Sequence, residues 1–140
     1  MPDHWIDPRQ CQSLAVLVES VTSPLLIEHK SPVCLELDID TSLGVPADSG
    51  RTVDLLQTLV VQALSEMPEG GDLLVTACET IRGLELEIAD TGSDIENRVQ
   101  RMPIAAAALG AQVVWQNCPQ GGAAVTVTFQ RQSGSGRIAA

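Results

Sequence analysis

The chain has 140 residues, 44% of them hydrophobic, and 18 acidic against 8 basic side chains give a formal net charge of -10 at pH 7. That size suits one domain with a real hydrophobic core, and the acidic balance repels a phosphate backbone, so no nucleic-acid partner is expected. No apolar run approaches the roughly 20 residues of a membrane-spanning helix, and Met1-Pro-Asp-His has no signal-peptide character, so no membrane association and a cytoplasmic location are expected.

Residues 8–28 read as the first helix. Leu14, Leu17, Val18, Val21 and Leu25 form its apolar stripe, and Asp7-Pro8 supplies an N-cap with proline in the first turn. After Ser31-Pro32, Val33, Leu35, Leu37 and Ile39 alternate with Cys34, Glu36, Asp38 and Asp40, a half-buried strand with an acidic outer face. Residues 41–50 are a loop whose Asp48 and Ser49 offer a cap to the next helix, near 51–66. There Val53, Leu56, Val60, Ala63, Leu64 and Met67 recur at spacings of three and four, and Met67-Pro-Glu-Gly-Gly71 stops the run. Residues 73–79 and 84–89 read as two strands joined around Arg82-Gly83, with Leu84, Leu86 and Ile88 facing inward and Glu85 and Glu87 facing water. A helix rich in alanine is expected at 96–109, with Arg98 and Arg101 more simply on a solvated face than placed for phosphate contacts. Gly110 ends it, 111–117 is a strand, and Ala123, Val125, Val127 and Phe129 mark the last buried strand.

This order predicts an α/β fold, a two-layer α/β sandwich with a mixed sheet of about five strands and helices on one face. Leu56, Val60, Leu64, Leu86, Ile88, Val125 and Val127 are the expected shared core. A single domain is expected over 1–131, with a flexible tail over 132–140, where Ser-Gly-Ser-Gly falls. Cys11, Cys34, Cys78 and Cys118 form no CxxC and no Cys/His cluster, which predicts buried or half-buried free thiols and no metal site.

Ala63-Leu64, then Met67-Pro68-Glu69-Gly70-Gly71, then a strand pair ending in Asp90-Thr91-Gly92, resemble the ATP-binding catalytic domain of sensor histidine kinases. That domain is shared with the gyrase, Hsp90 and MutL ATPases, and the resemblance spans about residues 5–130 in element order. It implies a helix asparagine that coordinates magnesium, an Asp-x-Gly turn whose carboxylate reads the adenine amine, and a glycine-rich lid over the phosphates. At those positions the chain diverges. Gln62 stands where the magnesium asparagine is expected, with Thr58 one turn earlier; glutamine moves its carbonyl outward by one methylene, against magnesium's demand for near-ideal octahedral geometry. Asp90 and Gly92 match the adenine-reading turn, but Asp94 replaces the next glycine. Between Ile95 and Gly110 neither a lid nor a Gly-x-Gly box remains to present backbone N–H groups to phosphate. Gly121-Gly122 resembles the glycine-rich turn into the final strand, with Ala124 in place of the customary threonine.

The resemblance therefore implies a vestigial nucleotide site at Gln62, Asp90 and Gly92, with no catalytic residue, no metal and no cofactor. His29-Lys-Ser-Pro lacks the acidic residue that follows a phosphoacceptor histidine, so His29 reads as a surface side chain. Two function classes follow. The first is a degenerate histidine kinase-type domain without autonomous activity, acting as a regulatory or docking module through a phosphorelay protein partner or self-association. The second is a minimal catalytic domain that binds ATP and Mg and serves a separate phosphoacceptor domain. Ile95, Val99, Met102 and Ile104 lie beside the missing lid, where they either collapse into the core or form an interaction surface.

Overall fold

The computed structural model describes residues 7, 10–46, 48–99 and 101–130. The expected tail and Pro8 of the expected first cap lie outside them. The elements in chain order are α1 (Leu14–Glu28), β1 (Val33–Ile39), α2 (Ser49–Ser65), β2 (Gly71–Thr80), β3 (Gly83–Asp90), α3 (Ile104–Leu109), β4 (Gln112–Asn117) and β5 (Ala123–Gln130), with a 3-10 turn at Ile95–Asn97 before α3. The five strands form one mixed sheet in the order β1-β2-β3-β5-β4. β1 runs parallel to β2, and the other neighbours are antiparallel. The helices cover one face, and the other is open, which is the expected two-layer sandwich.

Alternation along each strand decides which side chains enter the core. Leu73 and Val75 of β2, Leu86 and Ile88 of β3, and Val125, Val127 and Phe129 of β5 are buried beneath Leu55, Leu56, Leu59 and Val60 of α2. All seven expected core residues are buried, none more than 6% exposed. α2 begins at an N-cap, Asp48, whose side chain accepts a hydrogen bond from the Arg51 N–H at 3.0 Å. Behind it, the α1–β1 and α2–β2 turns are tied together. His29 Nε2 lies 2.8 Å from the Met67 carbonyl, Ser31 Oγ donates to the Pro68 carbonyl at 2.7 Å, and the Gly71 N–H donates to the Pro32 carbonyl. His29 is thus half-buried in a structural corner.

Besides His29, expected at the surface and found half-buried, three expectations need correction. α1 starts at Leu14 with Ser13 as its N-cap, well after the predicted residue 8. Ser13 bridges Gly44, the Leu14 N–H donates to the Leu43 carbonyl, and the Val45 N–H donates to the Gln12 carbonyl, so residues 12 and 13 are held extended against the loop after β1. The helix expected at 96–109 survives only as α3. Pro103 has no N–H to contribute and biases the residue before it toward extended backbone, so the helix starts after it. Cys34 and Cys78 are exposed and not half-buried, because alternation turns both onto the open face; all four cysteines are free thiols.

Ile88→Ala is expected to cost about 2–5 kcal/mol in urea unfolding, the range for deleting a fully buried branched side chain from a packed core. A loss below about 1 kcal/mol would mean that α2 does not close over β3 as described.

Candidate functional site

The site lies where β3 runs out beneath the C-terminal end of α2. Asp90 is the last residue of β3, paired with Leu73 on one side and Ala123 on the other, and its side chain is only 4% exposed. Its Oδ1 accepts the Gly92 N–H at 2.9 Å, which closes the turn on itself. Two glycines permit this crowding. A Cβ on Gly92 would stand 2.4 Å from the Glu66 carbonyl oxygen at the end of α2, and one on Gly122, whose φ is +84°, would stand 2.0 Å from the Asp90 carbonyl oxygen.

Both oxygens of the carboxylate are engaged from within the chain. Arg98 Nη1 donates to Asp90 Oδ2 at 3.0 Å and Nη2 to Oδ1 at 2.9 Å, a bidentate fork in which the arginine side chain is 8% exposed. Arg98 Nε donates to the Ser93 carbonyl at 3.1 Å, and Nη2 donates there as well. Ser93 Oγ in turn donates to Glu66 Oε1, which lies 4.0 Å from Arg98 Nε. The hydrogen bonds that Arg98 donates to Asp90, helped by the charges of Asp90, Glu66 and Asp94 and opposed by burial, hold its guanidinium above the ordinary range. A raised arginine pKa stabilises the fold at every pH below the ordinary arginine range and loses that contribution only as pH climbs beyond that range through the raised value.

Arg98 reaches Asp90 because the described residues between Ile95 and Pro103, a strap from β3 to α3, form no α-helix. After the turn at Ile95–Asn97, Arg98 is extended, with φ -129° and ψ 155°. The strap is stapled to β4. The Ile95 N–H donates to Asn117 Oδ1 at 2.8 Å, and Asn117 Nδ2 donates to the Glu96 carboxylate at 3.1 Å, which lowers the Glu96 pKa. What remains between strap, α2 and β5 is a cleft of about 290 Å³, with Leu59, Gln62, Asp90, Asn97, Arg98 and Trp115 among its walls. That is at the small end of the roughly 300–1,000 Å³ usual for ligand pockets.

Of the residues singled out from sequence, Gln62 and Asp90 line this cleft together, and Gly92 joins them through its hydrogen bond to Asp90. Thr58 does not, being exposed with its hydroxyl donating to the Asp54 carbonyl. Arg98 is the residue that sequence reasoning missed: expected on a solvated helix face, it is the most engaged side chain at the site. The available signal was Pro103, which argues against continuous helix across 96–109.

No family model and no curated protein matches the chain. Solved structures do. A mycobacterial sensor histidine kinase, MprB, superposes with a TM-score of 0.69 at 15% identity, over 84% of this chain and 94% of that one. The catalytic domain of the histidine kinase ThkA gives 0.66 at 17%, over 84% and 93%. The blue-light activated histidine kinase of Erythrobacter litoralis gives 0.67 at 16%, where 84% of this chain spans only 45% of that one. The architecture is therefore that of histidine kinase catalytic domains. Among the described residues no helix is long and apolar enough to cross a membrane.

Arg98→Ala is expected to cost about 3–5 kcal/mol, since it strands a buried carboxylate without its partner. The double variant Asp90→Asn/Arg98→Met, which removes both charges and keeps an acceptor for the Gly92 N–H, should recover most of that loss in urea unfolding. A single-variant cost below about 1 kcal/mol would place Arg98 at the surface.

Proposed function

We propose that this chain is a degenerate histidine kinase-type ATPase domain that serves as a regulatory or docking module in two-component-like signalling, with weak or no ATP binding. One observation carries the reading: both oxygens of the Asp90 carboxylate are held by Arg98 inside a buried cluster. A carboxylate that reads adenine must turn an acceptor toward the base, and here the acceptors face the chain's own guanidinium. The neighbouring residues fit a magnesium nucleotide no better. Gln62 stands at the metal position, and α3 begins at Ile104 behind Pro103 with no glycine among its residues. The group that would bind there is not accommodated, and no chemical step is assigned to this domain alone.

The docking side of the proposal rests on the strap's outer surface. Val99 is 76% exposed, Met102 54% and Ile104 90%, whereas Ile95 is half-buried. The collapse alternative is not what these side chains adopt, and together they give a protein partner of a phosphorelay an apolar surface to cover.

Titration with ATP and ADP, with and without Mg, tests the nucleotide half. Each lost charge-assisted hydrogen bond is worth about 1.5–3 kcal/mol, so two losses weaken affinity by roughly a hundredfold or more, and no magnesium-dependent gain is expected. Micromolar, magnesium-dependent binding that disappears in Asp90→Ala would instead support the minimal catalytic domain that works with a separate phosphoacceptor. For the docking half, Val99→Asp/Met102→Asp should change stability by no more than about 0.5 kcal/mol, as surface substitutions do. A steep loss would return both residues to the core.

A further inference from the structure

The two edges of the sheet are finished differently. β1 exposes Glu36 and Asp38 on the open face, β2 carries Asp72 and Glu79, and β3 carries Glu85 and Glu87. β4 and β5 contain no charged residue, although the chain as a whole has a net charge of -10. Exposed edge strands are ordinarily blunted by charges, proline or a bulge, because their free N–H and C=O groups template further strands. β4 has none of these devices. Its register against β5 is unbroken from Gln112↔Thr128 to Asn117↔Ala123, and among the described strands it pairs with β5 alone. Val114 on this edge is 58% exposed, and Trp115 is half-buried at the rim.

We infer that β4 is a self-pairing edge, and that a second copy of this chain adds to it antiparallel, about a two-fold axis at Val114. Residues that face each other across an antiparallel pair point to the same side of the sheet, so a symmetric pairing must keep the core face on one side and the open face on the other. Gln112-Val113-Val114-Trp115-Gln116 meets that condition, since it has the same polar and apolar pattern in both directions. Val114 meets Val114 of the second copy on the open face, Gln112 meets Gln116 on that same face, and Val113 meets Trp115 on the helix side, where Trp115 gains cover. Asn117, whose amide is committed to the strap, lies just outside the five paired residues.

Charge favours the same occupant. Joining β4 to β4 places the two neutral halves at the centre of a ten-stranded sheet. The nearest acidic strands of the two copies, one β3 in each, are then five strand spacings apart, about 24 Å, against a Debye length of about 8 Å at physiological salt. Glu96 sits near the C-terminal end of β4, but the antiparallel arrangement sends the two Glu96 side chains to opposite ends of the pair, about 20 Å apart. This inference is independent of whether the cleft binds nucleotide.

Analytical ultracentrifugation of the full chain, of Val114→Lys, of Val114→Glu and of their equimolar mixture tests it. The unmodified chain should sediment as a dimer, and each variant should weaken dimerisation about tenfold or more, because like charges would stand directly opposite at the axis. The mixture should restore a dimer, as lysine then meets glutamate. Melting temperatures of the variants should match that of the unmodified chain diluted until it is monomeric, as Val114 is largely exposed and only the dimer adds stability. A monomeric unmodified chain, variants that dimerise as well as it does, or a mixture that remains monomeric would each overturn the proposal. Should the variants fail to fold, amide hydrogen exchange on the unmodified chain decides. Protection of 112–116 that rises with protein concentration supports self-pairing, and protection that is independent of concentration, or that rises in β1 instead, refutes it.

Discussion

Removing one face of the sheet from water is the constraint from which the rest follows, and α2 does most of that work. Leu55, Leu56, Leu59 and Val60 are essentially inaccessible to solvent, as are Val75, Leu86, Ile88 and Val127 among the strand residues of the same core. Each such side chain contributes about 1.5–3 kcal/mol on burial, so the position of α2 over the sheet is far more strongly determined than that of any loop. The end of α2 consequently lands beside the end of β3, and the Glu66 carbonyl comes so close to Gly92 that no side chain fits between them. The cleft exists because a packed helix and a packed strand terminate at the same place.

Within that cleft, the Asp90–Arg98 pair acts as a latch more than as a source of stability. A buried ion pair offsets much of its Coulomb attraction with desolvation, yet becomes costly to break from one side only. The latch dictates the conformation of the strap. With Arg98 turned inward on extended backbone, the next side chain must turn outward, and Val99 does. The buried guanidinium and the exposed apolar surface are two faces of one backbone conformation.

Much of the architecture was legible because it is written in local periods. The three-and-four spacing of α2 and the alternation in β1, β3 and β5 each gave an element of the right type, with inward residues that are buried, or half-buried in the case of Val33, Leu35, Leu37 and Leu84. Gln62 and Asp90 could be placed at one cleft because each sits near the end of a clearly periodic element. What escaped depends on distant contacts. Residues 12 and 13 are drawn out of helix by pairing with the loop that holds Leu43 and Val45. The run from Glu96 to Leu109 looks helical through its alanines, but Pro103 and the pull of Asp90 on Arg98 divide it. Arginine on a supposed helix face gives no local sign that its partner is the tip of a strand.

The sheet's mixed topology also bears on how the chain reaches this state in time. β2 and β3 close on each other around Ile81 and Arg82, a short-range pairing that forms with little loop entropy to overcome. β1 meets β2 in parallel, Val33 against Gly71, only after α2 has crossed over between them, and β5 must return from beyond α3 to find β3. The hairpin is therefore the early nucleus and both flanks are late arrivals. Until β5 docks, the apolar side of the hairpin is without its neighbour, and β4, whose strand partner among the described strands is β5 alone, joins the sheet last.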